Sequence, residues 1–498
     1  MIFWTITILG LYLVSILVVG VYSGHGAGKD TESFFVANRR INWLQESMAV
    51  FTTTIPAAAL VGTIGLFYSG GANMLGYLIS YSFLMPLTYW YVGSRLRRLG
   101  RARGYQTQAV FIGDFYQSRY LRWAVALAGI AFSIPILMTS PVALGYLLNH
   151  YTGIPYAAGV LLFIVVAAVY TLKGGLRAVA NTDIFHGVLL LLFLVGVIVT
   201  VVLYAGGIVR VLDTPKAVVS SSGPGLELFV AWIFYVGLGT CVQPDRAFRM
   251  FAVRNESNLR NGVIISGAMV GLSGLSFLII ALSVHAYAPD IKQTDTTLAT
   301  GLELAAPWLI PWFVMNAWGG GMSAFTAGLL SVANIFIKDM FEPWYRRRHN
   351  LAAGPESDRP IVFAARIFIT CMIVITAGVS FYPPPFIWSL INITLGSLLQ
   401  FLPMFALGFL WRRVTWLGAA SGWTVGVACM FLWSFVFKPP FGPLAGVDAL
   451  AVNAVVLILV SLLVPEDQAL KDQREVLRKL ATSDVDSKPA FSAAGLAN

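Results

Sequence analysis

The stretch Phe51-Thr52-Thr53-Thr54-Ile55-Pro56-Ala57-Ala58-Ala59-Leu60-Val61-Gly62-Thr63-Ile64-Gly65 lies inside an apolar run from Trp43 to Tyr68. It reads as a membrane-spanning helix with a break built into it. Pro56 cannot donate a backbone hydrogen bond, and its ring clashes with the preceding turn. Carbonyls near Thr52 are thereby released. Such groups are tolerated at membrane depth only where protein buries them or a cavity receives them. A second weak helix, Val236-Gly237-Leu238-Gly239-Thr240, occupies the short apolar run Leu228–Cys241. Either segment alone reads rather as a kink in a packed helix. Two of them, opening two five-helix halves, point to a transporter site.

The rest of the chain supports a membrane setting. Of 498 residues, 57% are hydrophobic and 11% charged, against about 25% charged in a soluble domain. That balance excludes a soluble enzyme, a disordered chain and a nucleic-acid binder. Thirteen apolar segments run Ile2–Tyr22, Trp43–Tyr68, Leu75–Gly93, Tyr120–Leu148, Tyr156–Leu172, Asp183–Ala205, Leu228–Cys241, Val263–Tyr287, Trp308–Ile337, Ile361–Phe381, Phe386–Leu410, Leu417–Phe437 and Ala449–Val464. The expected fold is an all-α polytopic membrane protein of about 13 transmembrane helices, spanning residues 1–464, with a cytoplasmic tail at 465–498.

Charge sets the expected orientation. With the N-terminus outside, the inner loops and tail carry 29 Lys and Arg residues and the outer loops four, Arg210, Lys216, Lys292 and Lys438. An inner excess of this size is the positive-inside pattern. It also explains the net charge of +10 without nucleic acid. The tail sequence from Glu466 to Ala481 has a helical, amphipathic pattern and reads as a membrane-surface helix. Cys241, Cys371 and Cys429 form no CxxC and read as small core residues. No P-loop, HExxH, GxSxG or His/Cys cluster with metal spacing is present, so neither an ATP-driven pump nor an enzyme is expected.

Three further places can carry chemistry. The ninth segment holds Trp318-Gly319-Gly320-Gly321-Met322-Ser323-Ala324-Phe325-Thr326. Its small residues admit a neighbouring helix. Its hydroxyls suit a hard cation or bond back to their own helix. Asp183 and His186 open the sixth segment; they are candidates for function at membrane depth, or Thr182 and Asp183 cap that helix. Ser389 and Asn392 stand three residues apart on one face of the eleventh.

These residues carry a resemblance. Tyr170-Thr171-Leu172-Lys173-Gly174-Gly175-Leu176-Arg177-Ala178-Val179 with Thr182-Asp183 resembles a signature of the sodium:solute symporters. So do Gln243-Pro244-Asp245-Arg246-Ala247-Phe248-Arg249, the run from Met322-Ser323 to Leu329-Leu330 with Lys338-Asp339, and Gly408-Phe409-Leu410-Trp411-Arg412-Arg413. Gly153-Ile154-Pro155-Tyr156 is similar to the pantothenate and monocarboxylate branches.

The resemblance implies a leucine-transporter-type 5+5 inverted repeat, with halves at about 43–205 and 228–410. It implies symport of sodium with a small organic solute such as a monocarboxylate, pantothenate or an amino acid. The implied sodium ligands are carbonyls of Thr52, Ile55 and Gly320, the hydroxyl of Ser323, and a second hydroxyl whose position here is Ala324. Asp183 and His186 fall on the implied ion exit path. Ala57, Ala59, Tyr235, Thr240, Ser389 and Asn392 are expected to line the solute site, whose apolar character favours a partly apolar solute over a sugar. The short loops suggest a bacterial inner membrane. No other cofactor is implied, and the oligomeric state is left open.

The chain departs from the family pattern at Thr54 (Asp or Asn in some members), Pro56 (Ser), His186 (Gln), Asp245 (His) and Ala324. Losing an oxygen at Ala324 weakens the expected cage, and Thr326 points about 200° away from Ala324 on a regular helix. Proton-coupled or uncoupled transport, and a transporter-like sensor or receptor, therefore stay open as alternatives.

Overall fold

Length and apolarity, applied to the computed structural model, yield ten helical stretches able to cross a membrane among the described residues. Those residues are 1–24, 28, 30–217, 232–352, 354–382, 387–440 and 444–483, without the side chains of 355, 356 and 387–391. A crossing takes roughly 20 residues. Two stretches, Ala57–Arg103 with 47 residues and Tyr156–Tyr204 with 49, are far longer than one crossing needs. Each is interrupted at a glycine of positive φ, Gly71 at 55° and Gly175 at 54°. Within the described residues, each of the thirteen segments read from the sequence falls on helix.

Helices of eight residues or more are numbered in chain order. They are α1 (Ile2–Ser23), α2 (Trp43–Thr54), α3 (Ala57–Gly70), α4 (Met85–Arg103), α5 (Gln108–Phe115), α6 (Arg119–Thr152) and α7 (Tyr156–Tyr204). Then come α8 (Pro244–Ala252), α9 (Glu256–Tyr287), α10 (Thr297–Ala305), α11 (Ile310–Ile335), α12 (Glu342–His349) and α13 (Pro355–Ser380). The last are α14 (Ile387–Leu399), α15 (Leu402–Leu410), α16 (Trp416–Phe435), α17 (Ala445–Leu463) and α18 (Gln468–Thr482). No strand occurs among the described residues; Ile41 and Val253 make an isolated bridge.

The core is built around α11. Nearly all its residues are buried, and α1, α2, α6 and α7 pack on it. Association in lipid relies on close packing and small residues, since lipid tails are as apolar as leucine. The glycine run of α11 meets this need on three faces, because successive residues turn by about 100°. A methyl group on Gly319 would meet the Tyr12 hydroxyl, on Gly320 the Ile55 carbonyl, and on Gly321 the Leu144 side chain.

Gly175 is the other decisive glycine. Its φ of 54° and ψ of −152° belong to a region open essentially to glycine alone. An added Cβ would lie 2.4 Å from the Phe34 carbonyl oxygen. Gly175→Ala is therefore expected to cost at least about 1–3 kcal/mol in backbone strain, read as a lowered unfolding midpoint in detergent. A midpoint equal to wild type would refute the strain.

Two expectations need correction. The tail helix α18 packs on α4 and α5, not on a membrane surface. Its buried face is Arg474, Leu477 and Ala481. Arg474 pairs with Glu466, and Arg478 donates to the carbonyls of Gly408 at 2.9 Å and Trp411 at 3.0 Å. Burial pushes the Arg474 guanidinium down to about 10, so it stays charged near neutral pH. Its face is apolar enough for lipid but is used against protein. Second, only Cys241 of the three cysteines is buried; Cys371 is exposed on α13.

Candidate functional site

The break falls where Pro56 requires it. α2 ends at Thr54, Ile55 leaves the helical region (φ −118°, ψ 62°), and α3 restarts at Ala57. The Ile55 amide still donates to the Thr52 carbonyl at 3.3 Å. The Ile55 carbonyl has no amide four residues on in the same helix, and it lies against Gly320, whose missing side chain makes room for it. One turn further along α11, the Ser323 hydroxyl meets the Thr52 hydroxyl at 2.8 Å, fully buried. Thus Thr52, Ile55, Gly320 and Ser323 converge from two helices. Ala324 follows them on α11 and brings no side-chain oxygen. Thr326 is turned to other uses, donating to the Met322 carbonyl at 2.9 Å and accepting from the Tyr170 hydroxyl at 3.4 Å.

Below this junction lies a buried ionic cluster. Asp183 is buried, and its Oδ2 accepts from both terminal nitrogens of Arg249, at 3.2 and 3.3 Å. The capping role considered for Thr182 and Asp183 is excluded. They sit two turns beyond the Gly175 kink, inside α7, and Thr182 donates to Val179 of its own helix. His186 Nδ1 lies 4.0 Å from Asp183 Oδ1. Its ring is tilted against Tyr12 at 5.9 Å between centroids. Among the described residues, neither His186 nitrogen, nor Asp183 Oδ1, nor the Tyr12 hydroxyl has a hydrogen-bond partner. Buried polar groups are ordinarily satisfied, so this cluster can still receive water, a proton or a cation.

Arg246 stands one helical turn before Arg249 on α8. It donates to the Val50 carbonyl and the Thr54 hydroxyl, both at 3.0 Å. Tyr89 donates to buried Glu46 at 2.8 Å. Sequence reading quoted both arginines within a motif but gave them no role. A signal was present: Arg246 and Arg249 are i and i+3 in the motif Gln243–Arg249, on one face of a helix such as the nine-residue α8. Glu46 in an apolar run was likewise visible as an intramembrane acid.

The expected solute-lining residues are only partly gathered. The Tyr235 hydroxyl donates to the Asn392 carbonyl at 3.3 Å, joining the seventh and eleventh segments. Ala57 is buried and Ala59 half-buried on α3. Thr240 returns its hydroxyl to Val236 at 2.7 Å. The Ser389 side chain falls outside the described residues. The seventh segment is irregular: Ile233–Leu238 forms a π turn and Thr240–Val242 a 3₁₀ turn. Irregular turns of this kind often mark functional positions. Beside it, Tyr77 packs on Tyr81 at 4.6 Å and on Trp232 at 4.9 Å. The buried Trp232 indole nitrogen has no partner among the described residues. This aromatic group is absent from the sequence expectation because Tyr77 and Trp232 are far apart in the chain.

The broken helix is laid against a small-residue helix with oxygens converging, and no cluster of metal-binding acids, His or Cys occurs among the described residues. Residues 34–426 match the model of the Sodium:solute symporter family. The chain belongs to that family. It is accordingly a sodium-coupled transporter of a small organic solute and not an enzyme. It is 24% identical over 417 residues to a sodium/pantothenate symporter of Haemophilus influenzae, covering 80% of this chain and 83% of that one. It is 22% identical to a sodium/proline symporter of Staphylococcus aureus, covering 95% and 96%.

Among solved structures, the fold resembles a Na+-coupled sialic acid symporter in a substrate-bound, outward-open state. The TM-score is 0.80 at 17% identity, covering 93% of this chain and 98% of that one. It also resembles Mhp1, a nucleobase-cation-symport-1 family transporter, at TM-score 0.55 and 15% identity, covering 89% and 97%. The architecture is of the leucine-transporter type.

Proposed function

We propose that this symporter binds sodium at the junction of α2, α3 and α11, through the carbonyls of Thr52, Ile55 and Gly320 and the hydroxyl of Ser323. The contact between the Thr52 and Ser323 hydroxyls, beside the Gly320–Ile55 approach, carries this reading. Four protein oxygens are fewer than a hard cation takes, so water completes the shell where Ala324 offers nothing. Sodium leaves past Asp183 and His186 once Arg249 and Asp183 separate.

The solute binds beside the break, between α3, the irregular seventh segment and α14, near Ala57, Ala59, Tyr235, Thr240, Ser389 and Asn392. The relatives transport pantothenate and proline. The tyrosines and the open Trp232 indole N–H suit a similar small acid or amino-acid-like solute with an apolar part. The halves at 43–205 and 228–410 act as the two repeats. The protein works in a bacterial inner membrane with its N-terminus outside and its tail in the cytoplasm, and imports its solute.

Uptake of labelled pantothenate, proline and short monocarboxylates into proteoliposomes tests this, under an inward sodium gradient, an inward proton gradient or neither. Ser323→Ala is expected to abolish sodium-driven accumulation. Ala324→Ser is expected to lower the half-saturating sodium concentration about tenfold, a gain of about 1.4 kcal/mol, since a fixed hydroxyl replaces a water in the shell. Accumulation driven by protons alone would sink the sodium site and shift attention to Asp183 and His186.

A further inference from the structure

A recess of about 1050 Å³ opens where the end of α4, α5, the start of α6, the turn Phe336–Phe341 after α11, and α12 meet. Five arginines line it: Arg103, Arg119, Arg122, Arg347 and Arg348. Its two acids are already engaged. Asp339 holds Arg122 at 3.1 Å and accepts from Thr107 at 2.7 Å. Asp114 accepts from Tyr105 and Gln117. Arg103, Arg119, Arg347 and Arg348 make no ion pair among the described residues. Their neighbour Arg346, on the same short helix, is tied to Glu342 and Asp358. The helix therefore sorts its arginines: one fastens it, and two face the recess.

The positive-inside pattern explains arginines in these loops. It does not explain their convergence on one concavity, where like charges repel. Convergence of unpaired guanidinium groups suits an anion, and their fork geometry suits phosphate oxygens. The volume exceeds what a lone phosphate fills and is in the range of larger ligands.

Trp123 and Trp344 also line the recess, 37% and 56% exposed. From there Tyr120, Trp123 and Leu127 run as an exposed apolar track up one face of α6. A charged cup leading into an apolar track matches a headgroup with its acyl chain. We propose that this recess binds the phosphate-bearing headgroup of an anionic phospholipid, with the chain lying along α6. Basic pockets between membrane helices are known to take such headgroups. The bound lipid joins α12, and through it α11, to the end of α6.

The test uses the full chain in nanodiscs of phosphatidylcholine, with or without phosphatidylglycerol, reading retained lipid by native mass spectrometry. Wild type is expected to retain phosphatidylglycerol about tenfold over phosphatidylcholine. The triple variant Arg119→Gln, Arg347→Gln, Arg348→Gln is expected to lose that preference while eluting as a folded protein. The exposed pair Arg412→Gln, Arg413→Gln is expected to keep it. Equal retention by the triple variant would overturn the proposal, and so would an equal loss in the Arg412/Arg413 variant, which would mean diffuse charge. In a further arm, glycerol phosphate is added to lipid-free protein in detergent. Stabilisation there that matches phosphatidylglycerol would assign the recess to a soluble phosphate ester and overturn the lipid assignment.

Discussion

Arg249→Leu is expected to destabilise the transporter by about 3–5 kcal/mol, the cost of leaving one member of a buried ion pair alone. Both terminal nitrogens of Arg249 sit on the same oxygen of Asp183, and both residues are buried. Among the described residues no other cation is hydrogen-bonded to Asp183, and its second oxygen has no hydrogen-bond partner. Removing the guanidinium strands a carboxylate in the protein interior. Uptake is expected to fall by about two orders of magnitude or more, because the pair also joins α8 to α7 beside the cation junction. The double variant Asp183→Asn, Arg249→Leu removes both charges. It is expected to recover most of the stability but not transport, since the carboxylate on the proposed exit path is gone. Thermal unfolding in detergent, paired with proteoliposome uptake, separates the two effects. Unchanged unfolding of Arg249→Leu would show that the pair carries no structural weight.

This pair illustrates where the sequence was legible. Pro56, the apolar segments and the distribution of Lys and Arg follow from rules acting within a few residues. They were enough to locate the broken helix and the membrane segments; the family came from the resemblance of motifs such as Tyr170–Val179 and Gln243–Arg249. Asp183 was visible as an acid at membrane depth. Its partner was not, because nothing local links position 183 to 249; only packing of α8 against the core brings them together. The same holds for Arg246. It bonds to Thr54 on α2, almost two hundred residues away in the chain.

The tail failed for a different reason. Amphipathicity states that one face of α18 is covered, and protein and lipid are equally consistent with that face. The helix boundaries in α7 misled the reading of Asp183 similarly. A pause in hydrophobicity between Leu172 and Asp183 resembled a loop, whereas Gly175 lets the chain turn within helix.

The second large effect is expected at Gly320. An alanine Cβ there would stand 2.4 Å from the Ile55 carbonyl oxygen and 3.4 Å from the Pro56 Cα. Both are backbone atoms held by the break, so neither can swing aside. Restoring contact distance requires α11 to withdraw by on the order of 1 Å. That carries the Ser323 hydroxyl away from Thr52 and widens the ring of oxygens proposed to hold the cation. Misplacement of this size in a binding constellation costs about a hundredfold. Gly320→Ala is therefore expected to lower sodium-driven uptake about a hundredfold and to raise the half-saturating sodium concentration. Overpacking costs only about 1–3 kcal/mol, so folded protein remains available for measurement.

The neighbouring glycines supply the control. At Gly321 an added methyl meets Leu144 Cδ1 at 2.8 Å, the end of a flexible side chain; at Gly319 it meets the Tyr12 hydroxyl at 3.1 Å. Gly321→Ala and Gly319→Ala are expected to keep most of the sodium dependence. Equal loss at all three positions would mean that the run serves helix packing alone. A loss confined to Gly320 would tie the defect to the Ile55 carbonyl, because that is the atom it alone displaces.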